Sequence, residues 1–130
     1  MAPGSSTADI NLLGVHSDAV ANYQNGRIYV INRLGADNIL VLDQGDLRTP
    51  LIQFSVGNGS NPQDIEVISA TKAYVTGLAR ADVAIFNPQD GTELGTIDLS
   101  AFADGDGLPE LTQMVQSGSR IYVLAQRLEN

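Results

Sequence analysis

One tetrapeptide pattern recurs three times along the chain: Arg27-Ile28-Tyr29-Val30, Lys72-Ala73-Tyr74-Val75 and Arg120-Ile121-Tyr122-Val123. The tyrosines lie 45 and 48 residues apart. Each copy is a cation, a small or branched apolar residue, Tyr, then Val. A turn precedes each: Gln24-Asn25-Gly26, Ser69-Ala70-Thr71 and Ser117-Gly118-Ser119. Before each turn runs a short apolar stretch holding Val20, Val67 or Val115. A period of this length marks a repeat architecture, in which each unit is one supersecondary piece that buries its faces on its neighbours.

The first two copies extend further. After Tyr29 come Ala36-Asp37 and the strand-like Asn38 to Asp43; after Tyr74 come Ala81-Asp82 and Val83 to Asn87. Turns follow at Gln44-Gly45-Asp46 and at Pro88-Gln89-Asp90-Gly91, then further extended runs at Leu51 to Val56 and Thr92 to Leu99. Each unit thus reads as four short strands joined by polar or Gly-rich turns. β-Branched and aromatic residues fill the strands, and no segment carries a helical period. Ile28 to Ile31 and Ile39 to Leu42 are apolar in succession. A strand with one wet face would alternate, so these strands are expected to be covered on both faces. The fold class that follows is all-β: a partial β-propeller of four-stranded antiparallel blades, repeating every 45–48 residues.

Gly26 to Val30 and Lys72 to Thr76 (KAYVT) resemble the YVTN repeat family of bacterial β-propellers. Further stretches resemble a group of bacterial surface or periplasmic propeller proteins: Asn32 to Asn38, Phe54 to Ile65, Ile97 to Glu110 and Gln126-Arg127-Leu128. The resemblance covers roughly residues 18 to 128. It implies an extracytoplasmic setting, periplasmic or cell-surface, and a ring of about seven blades. One departure is plain: Gly77, not Asn, follows Thr76.

Six to eight blades at about 45 residues each need roughly 270–360 residues, and this chain of 130 holds about two and a half. The reading divides it into a flexible N-terminal segment, 1–9, and a propeller segment, 10–130. The latter comprises blade units at about 18–63, 64–110 and an incomplete 111–130. Ile10-Asn11-Leu12-Leu13 reads as the outer strand of a preceding blade. An end blade left bare exposes strand edges and an apolar face. Three outcomes fit: a piece of a longer propeller, a composite ring of several copies, or a chain packed on another subunit. The expected partner is therefore a protein or a second copy that completes the ring.

Composition narrows the function. Fifteen acids against seven Lys and Arg, net −8, disfavour nucleic acid or an anionic membrane as main partner. With no Cys there is no disulfide, thiolate zinc site or Cys nucleophile. No apolar run approaches the length of a membrane span. Met1 to Ala8 lacks the basic start and apolar stretch of a secretory signal, which fits either a cytoplasmic chain or one whose leader has been removed.

Propeller ligands gather where loops meet at one mouth of the channel. Those loops here are the links Gly57 to Asp64 and Ser100 to Glu110, together with loops carrying Arg33, Arg80 and Arg127. One arginine from each unit facing acids of the links would make an anion- or partner-binding mouth. The plainer reading is loop-fixing ion pairs. Asp64 and Glu110, each near a proline at the start of an inner strand, are expected at similar places, where a carboxylate pair could do acid–base work. Backbone binding is the commoner use of such acids.

Asp104-Gly105-Asp106-Gly107-Leu108-Pro109-Glu110 resembles part of a calcium loop: oxygen ligands at Asp104 and Asp106, a turn glycine, and a later acid at Glu110. Its spacing fails the EF-hand pattern, which favours a solvated acidic turn over calcium. Gly57 to Pro62 leads into a strand and so offers no helix N-terminus to phosphate; Asn58-Gly59-Ser60 reads as a tight turn. His16 is the single histidine, with Ser17 and Asp18 beside it in sequence, and reads as a surface or capping residue.

The resulting expectation is a non-enzymatic scaffold or binding segment of a bacterial extracytoplasmic protein, making protein–protein or assembly contacts, with no catalytic residue assigned. The alternative is a propeller enzyme, a lactonase-like hydrolase or oxidoreductase with its site at the channel mouth. An enzyme should show perturbed acids clustered in a concave pocket.

Overall fold

A computed structural model of the chain describes residues 14–128. The N-terminal segment 1–9 and the predicted strand Ile10 to Leu13 lie outside the described residues. Ten strands follow in order, and the described residues include no α-helix, only a 3-10 turn at Ser100–Phe102. Sheet 1 is β1 (Ala19–Gln24), β2 (Arg27–Asn32), β3 (Asn38–Asp43) and β4 (Asp46–Ser55). Sheet 2 is β5 (Pro62–Ser69), β6 (Lys72–Gly77), β7 (Asp82–Phe86) and β8 (Glu93–Asp98). Sheet 3 is β9 (Leu111–Ser117) and β10 (Arg120–Ala125). Each sheet is an antiparallel meander, every strand paired with its sequence neighbour.

The repeat is visible in register. The cation of each tetrapeptide closes a hairpin with a two-residue turn: Gln24 pairs with Arg27, Ser69 with Lys72 and Ser117 with Arg120. The tyrosines stand opposite Asn22, Glu66 and Val115 on the strand before. Beyond each tyrosine the same backbone bond recurs. Arg33 N donates to Asp18 O (2.9 Å), Leu78 N to Asn61 O (3.0 Å) and Gln126 N to Glu110 O (3.2 Å). Sheets 2 and 3 also share a register shift at the start of their first strand, which sheet 1 lacks. One element differs from expectation: β4 begins at Asp46, well before the apolar run at Leu51. The tight turn Gln44-Gly45 lets pairing start at once, and Pro50 is tolerated because β4 is an edge strand.

Burial explains the unbroken apolar runs. Tyr29, Ile31, Ile39, Val41 and Phe54 of sheet 1 share one core with Ile65, Ala73, Val75, Ala84 and Phe86 of sheet 2. Val30, Leu40 and Leu42 form a separate buried cluster on the opposite face of sheet 1. Tyr74 and Val83, on the other face of sheet 2, pack with Leu111, Met114, Ile121 and Val123 of sheet 3. The sheets therefore stack, with β5 lying against β1 and β2, and β9 against β5 and β6. Tyr29 and Tyr74 point toward the following sheet, Tyr122 points out on the same side of sheet 3, and the apolar residues either side of Tyr122 point back onto sheet 2.

Candidate functional site

The first strands of the sheets are joined by polar side chains. Asn22 Nδ2 donates to Asp64 Oδ1 and to Ile65 O, each at 3.0 Å. Gln24 Nε2 donates to Ile65 O (2.7 Å), and its Oε1 accepts from Val67 N (2.8 Å). The next step repeats this with other residues: Asp64 Oδ2 accepts from Met114 N (2.8 Å), and Thr76 Oγ1 donates to Thr112 O. Asp64 also accepts from its neighbour Ile65 N (2.9 Å). Both carboxylate oxygens are thus committed to holding three strands together, the structural use of a buried acid.

The expectation that Asp64 and Glu110 hold similar places is corrected. By register, the counterpart of Glu110 is Asn61. Both have left-handed backbone, φ 43° and 46°, and each carbonyl accepts the recurring bond described above. Pro62 follows Asn61 whereas Pro109 precedes Glu110, which is why proline spacing misplaced the pair.

The three arginines are each placed locally. Arg33 donates through Nε to Asp18 (3.1 Å) and through Nη1 to Gln63 (3.1 Å) of the next sheet. Arg80 donates to Asp82 (2.6 Å) and to Val56 O (3.1 Å) in the link, and lies 3.7 Å from Glu93. Arg127 is exposed, with left-handed backbone at φ 52°. Arg33 and Arg80 pair with acids outside the links, by part-buried ion pairs each worth about 0–1 kcal/mol, and reach toward the first link through the neutral bonds to Gln63 and Val56 O. His16 closes a local turn, its Nδ1 accepting from Asp18 N (3.2 Å).

Two organising residues escaped the sequence reading. Asp37 is buried with φ 46°, and its oxygens accept from Gly59 N (2.8 Å) and Asn61 N (3.0 Å), so it shapes the first link. Asn32, buried one strand-end past Tyr29, bonds Gly14 O, Asn38 Oδ1 and His16 N, each at 2.8 Å. It stands where Gly77 stands in the second unit. The signal for Asp37 was present: Ala36-Asp37 matches Ala81-Asp82, yet Asp82 turns to Arg80 instead.

The acidic loop does assemble. One carboxylate oxygen from each of Asp104, Asp106 and Glu110 lies within 4.8 Å of the others. Glu110 is 5% exposed, and its Oε2 accepts from Leu128 N at 3.2 Å. Burial pushes its carboxyl above the usual range; the Leu128 N–H opposes this, and the charges of Asp106 and Asp104 add to it. Asp104 Oδ1 accepts from Asp106 N (3.3 Å), while its Oδ2 is buried with no hydrogen-bond partner. Hard oxygen donors, crowded and under-satisfied, suit calcium.

The third feature is a face. Val115, Tyr122 and Leu124 of sheet 3 are exposed, although the equivalent Tyr29 is buried by sheet 2. A cleft of about 600 Å³ opens between sheets 1 and 2 at their turn ends; Arg27, Tyr29, Val41 and Val67 are among its lining residues. It holds no carboxylate pair. Arg27 there is already paired with Asp43. No helix among the described residues is long and apolar enough to cross a membrane.

No protein-family model matches the sequence, and no match is found among curated proteins.

Proposed function

We propose that this chain is a β-propeller segment acting as a rigid, non-enzymatic scaffold, in a bacterial extracytoplasmic protein, that makes protein–protein contacts through the open face of sheet 3. The observation that carries it is the contrast between Tyr29, 4% exposed, and Tyr122, 54% exposed, at equivalent positions. Sheet 2 buries Tyr29 and sheet 3 partly covers Tyr74, while nothing among the described residues covers Tyr122. The extracytoplasmic setting rests on the resemblance to YVTN-type propellers alone. The enzyme alternative finds little to work with, since Asp64 spends both oxygens on the framework.

Sedimentation velocity across a wide concentration range tests this. Association is expected, and Val115→Glu with Leu124→Glu should suppress it while the far-ultraviolet spectrum stays unchanged. A chain that remains strictly monomeric and binds no added β-strand at this face overturns the reading.

A second reading, calcium at Asp104, Asp106 and Glu110, is favoured by the partnerless Asp104 Oδ2. Calcium would take up that oxygen and offset the crowding of three acids. Thermal unfolding in calcium chloride against EDTA should show a raised midpoint with calcium, absent in Asp104→Asn. Equal midpoints with and without calcium dispose of the site.

A further inference from the structure

The cleft between sheets 1 and 2 holds a polar group with nothing to bind. Tyr29 lines it and is 4% exposed, yet its hydroxyl makes no hydrogen bond among the described residues. A buried phenol ordinarily finds a partner. The hydroxyl is not sealed in: among the described residues, the partnerless atoms cut off from solvent are Ser60 Oγ and Asp104 Oδ2. Burial raises the Tyr29 pKa above the usual 10.0, against the pull of the Arg27 charge, so the phenol stays an O–H donor at neutral pH.

Beside it stands a cation. Arg27 lines the same cleft, is partly exposed, and gives one nitrogen, Nη1, to Asp43. Its Nε and Nη2 have no hydrogen-bond partner among the described residues. Asp43 is itself anchored in its turn by Gly45 N (2.8 Å), so the pair holds the guanidinium in place. Among the described residues no Asp or Glu lines the cleft, although the chain carries a net charge of −8. The cleft thus gathers two kinds of donor for an acceptor, with no acid competing for them.

The walls are apolar and already in place. Val41 and Ile52 come from sheet 1, Val67 from sheet 2 and Pro88 from the turn between β7 and β8. Gln24 clamps the two sheets beside them, donating to Ile65 O (2.7 Å) and accepting from Val67 N (2.8 Å). Asn87 Oδ1 fixes the Pro88 turn by accepting from Gln89 N (3.0 Å). At about 600 Å³ the space is of the size that small ligands occupy, and its apolar walls with few convergent polar groups are what such sites use.

We propose that this cleft binds a small carboxylic acid with an apolar ring or chain. Its carboxylate takes the Tyr29 hydroxyl and the unused Arg27 N–H groups, and its apolar part lies on Val41, Ile52 and Val67. A bare inorganic anion would leave those walls uncovered, and a plain hydrocarbon would leave the buried hydroxyl unpartnered. The site is built wholly from sheets 1 and 2, so it does not depend on what covers sheet 3 or on the scaffold reading.

Cinnamate is the probe, titrated into the isotope-labelled chain with amide shifts followed by NMR. Saturable shifts are expected at Tyr29, Val67 and Ala70, all at the cleft. Tyr29→Phe keeps the ring and removes the donor. The hydroxyl holds nothing in the chain, so the ligand-free variant should keep its thermal midpoint while cinnamate affinity falls about tenfold. Arg27→Gln should weaken cinnamate as well, and leave unchanged the weaker binding of neutral cinnamyl alcohol. A lowered midpoint in ligand-free Tyr29→Phe would show the hydroxyl serving the fold and overturns the proposal. So does the absence of saturable shifts at these amides, or shifts confined to Val115, Tyr122 and Leu124. Equal cinnamate affinity in Tyr29→Phe, or equal binding of acid and alcohol by the unaltered chain, overturns it too.

Discussion

The Asp64 carboxylate accepts the Met114 amide at 2.8 Å across a sheet boundary, while its other oxygen accepts Asn22 from the sheet on the opposite side. One side chain therefore couples all three sheets. Asp64→Ala leaves the buried Met114 N–H without a partner and should cost about 2–3 kcal/mol. Asp64→Asn keeps one acceptor and should cost less. Urea denaturation measures both; a loss below that of an ordinary surface substitution in the alanine variant would show the coupling to be idle.

The tyrosines offer an internal control. Tyr29 and Tyr122 share register and direction but not cover. Tyr29→Ala opens a cavity between sheets 1 and 2 and should cost about 3–5 kcal/mol. Tyr122→Ala removes an exposed ring and should stay within about 0.5 kcal/mol. Equal losses in denaturant unfolding would contradict the placement of sheet 3.

The repeat was legible because hairpin register and two-sided burial leave a direct trace: unbroken apolar runs, small turns and a fixed tyrosine. Those signals placed β1–β3 and β5–β7 closely. What the sequence hid was the use of polar residues. Asp64, Asn22, Gln24 and Thr76 bond across sheets to the backbone of β5 and β9. Backbone partners carry no residue code, so no pattern announces them. The Asp64–Glu110 equivalence failed for a related reason. Proline marks a loop, but the shared left-handed turn belongs to Asn61 and Glu110. The acidic loop was readable because its three acids are local in sequence.

Gly77 stands where a side chain has no room. A Cβ built there would sit 2.4 Å from the Ser60 carbonyl oxygen, in the link that Leu78 and Ala79 also bond. Asn32 fills the same place in the first unit, where its side chain bonds Gly14 O and His16 N of the segment leading into β1. Gly77→Ala must shift backbone rather than a side chain and should cost about 1–3 kcal/mol. At Gly91, φ +74°, an added Cβ would sit 2.4 Å from the Phe54 Cβ, so Gly91→Ala should be at least as damaging. Denaturation midpoints of the two variants test both contacts; unchanged midpoints would mean the sheets sit further apart.

Glu66 supplies the pH dependence. Burial raises its carboxyl above the ordinary value of 4.5, and the nearby Asp64 charge raises it further. A carboxyl raised on folding contributes stability that is fully present below its unfolded pKa and is lost as pH rises through the folded one. At neutral pH the charged Glu66 is thus a burden that Glu66→Gln lifts. The variant should unfold at a higher temperature than the parent at pH 7.5, and the gap should close as pH falls toward 4. Other acids titrate in both proteins and cancel in the difference. A gap of constant size across that range would show that Glu66 is as well solvated in the folded chain as in the unfolded one, and that the sheet 2–sheet 3 boundary beside it admits water.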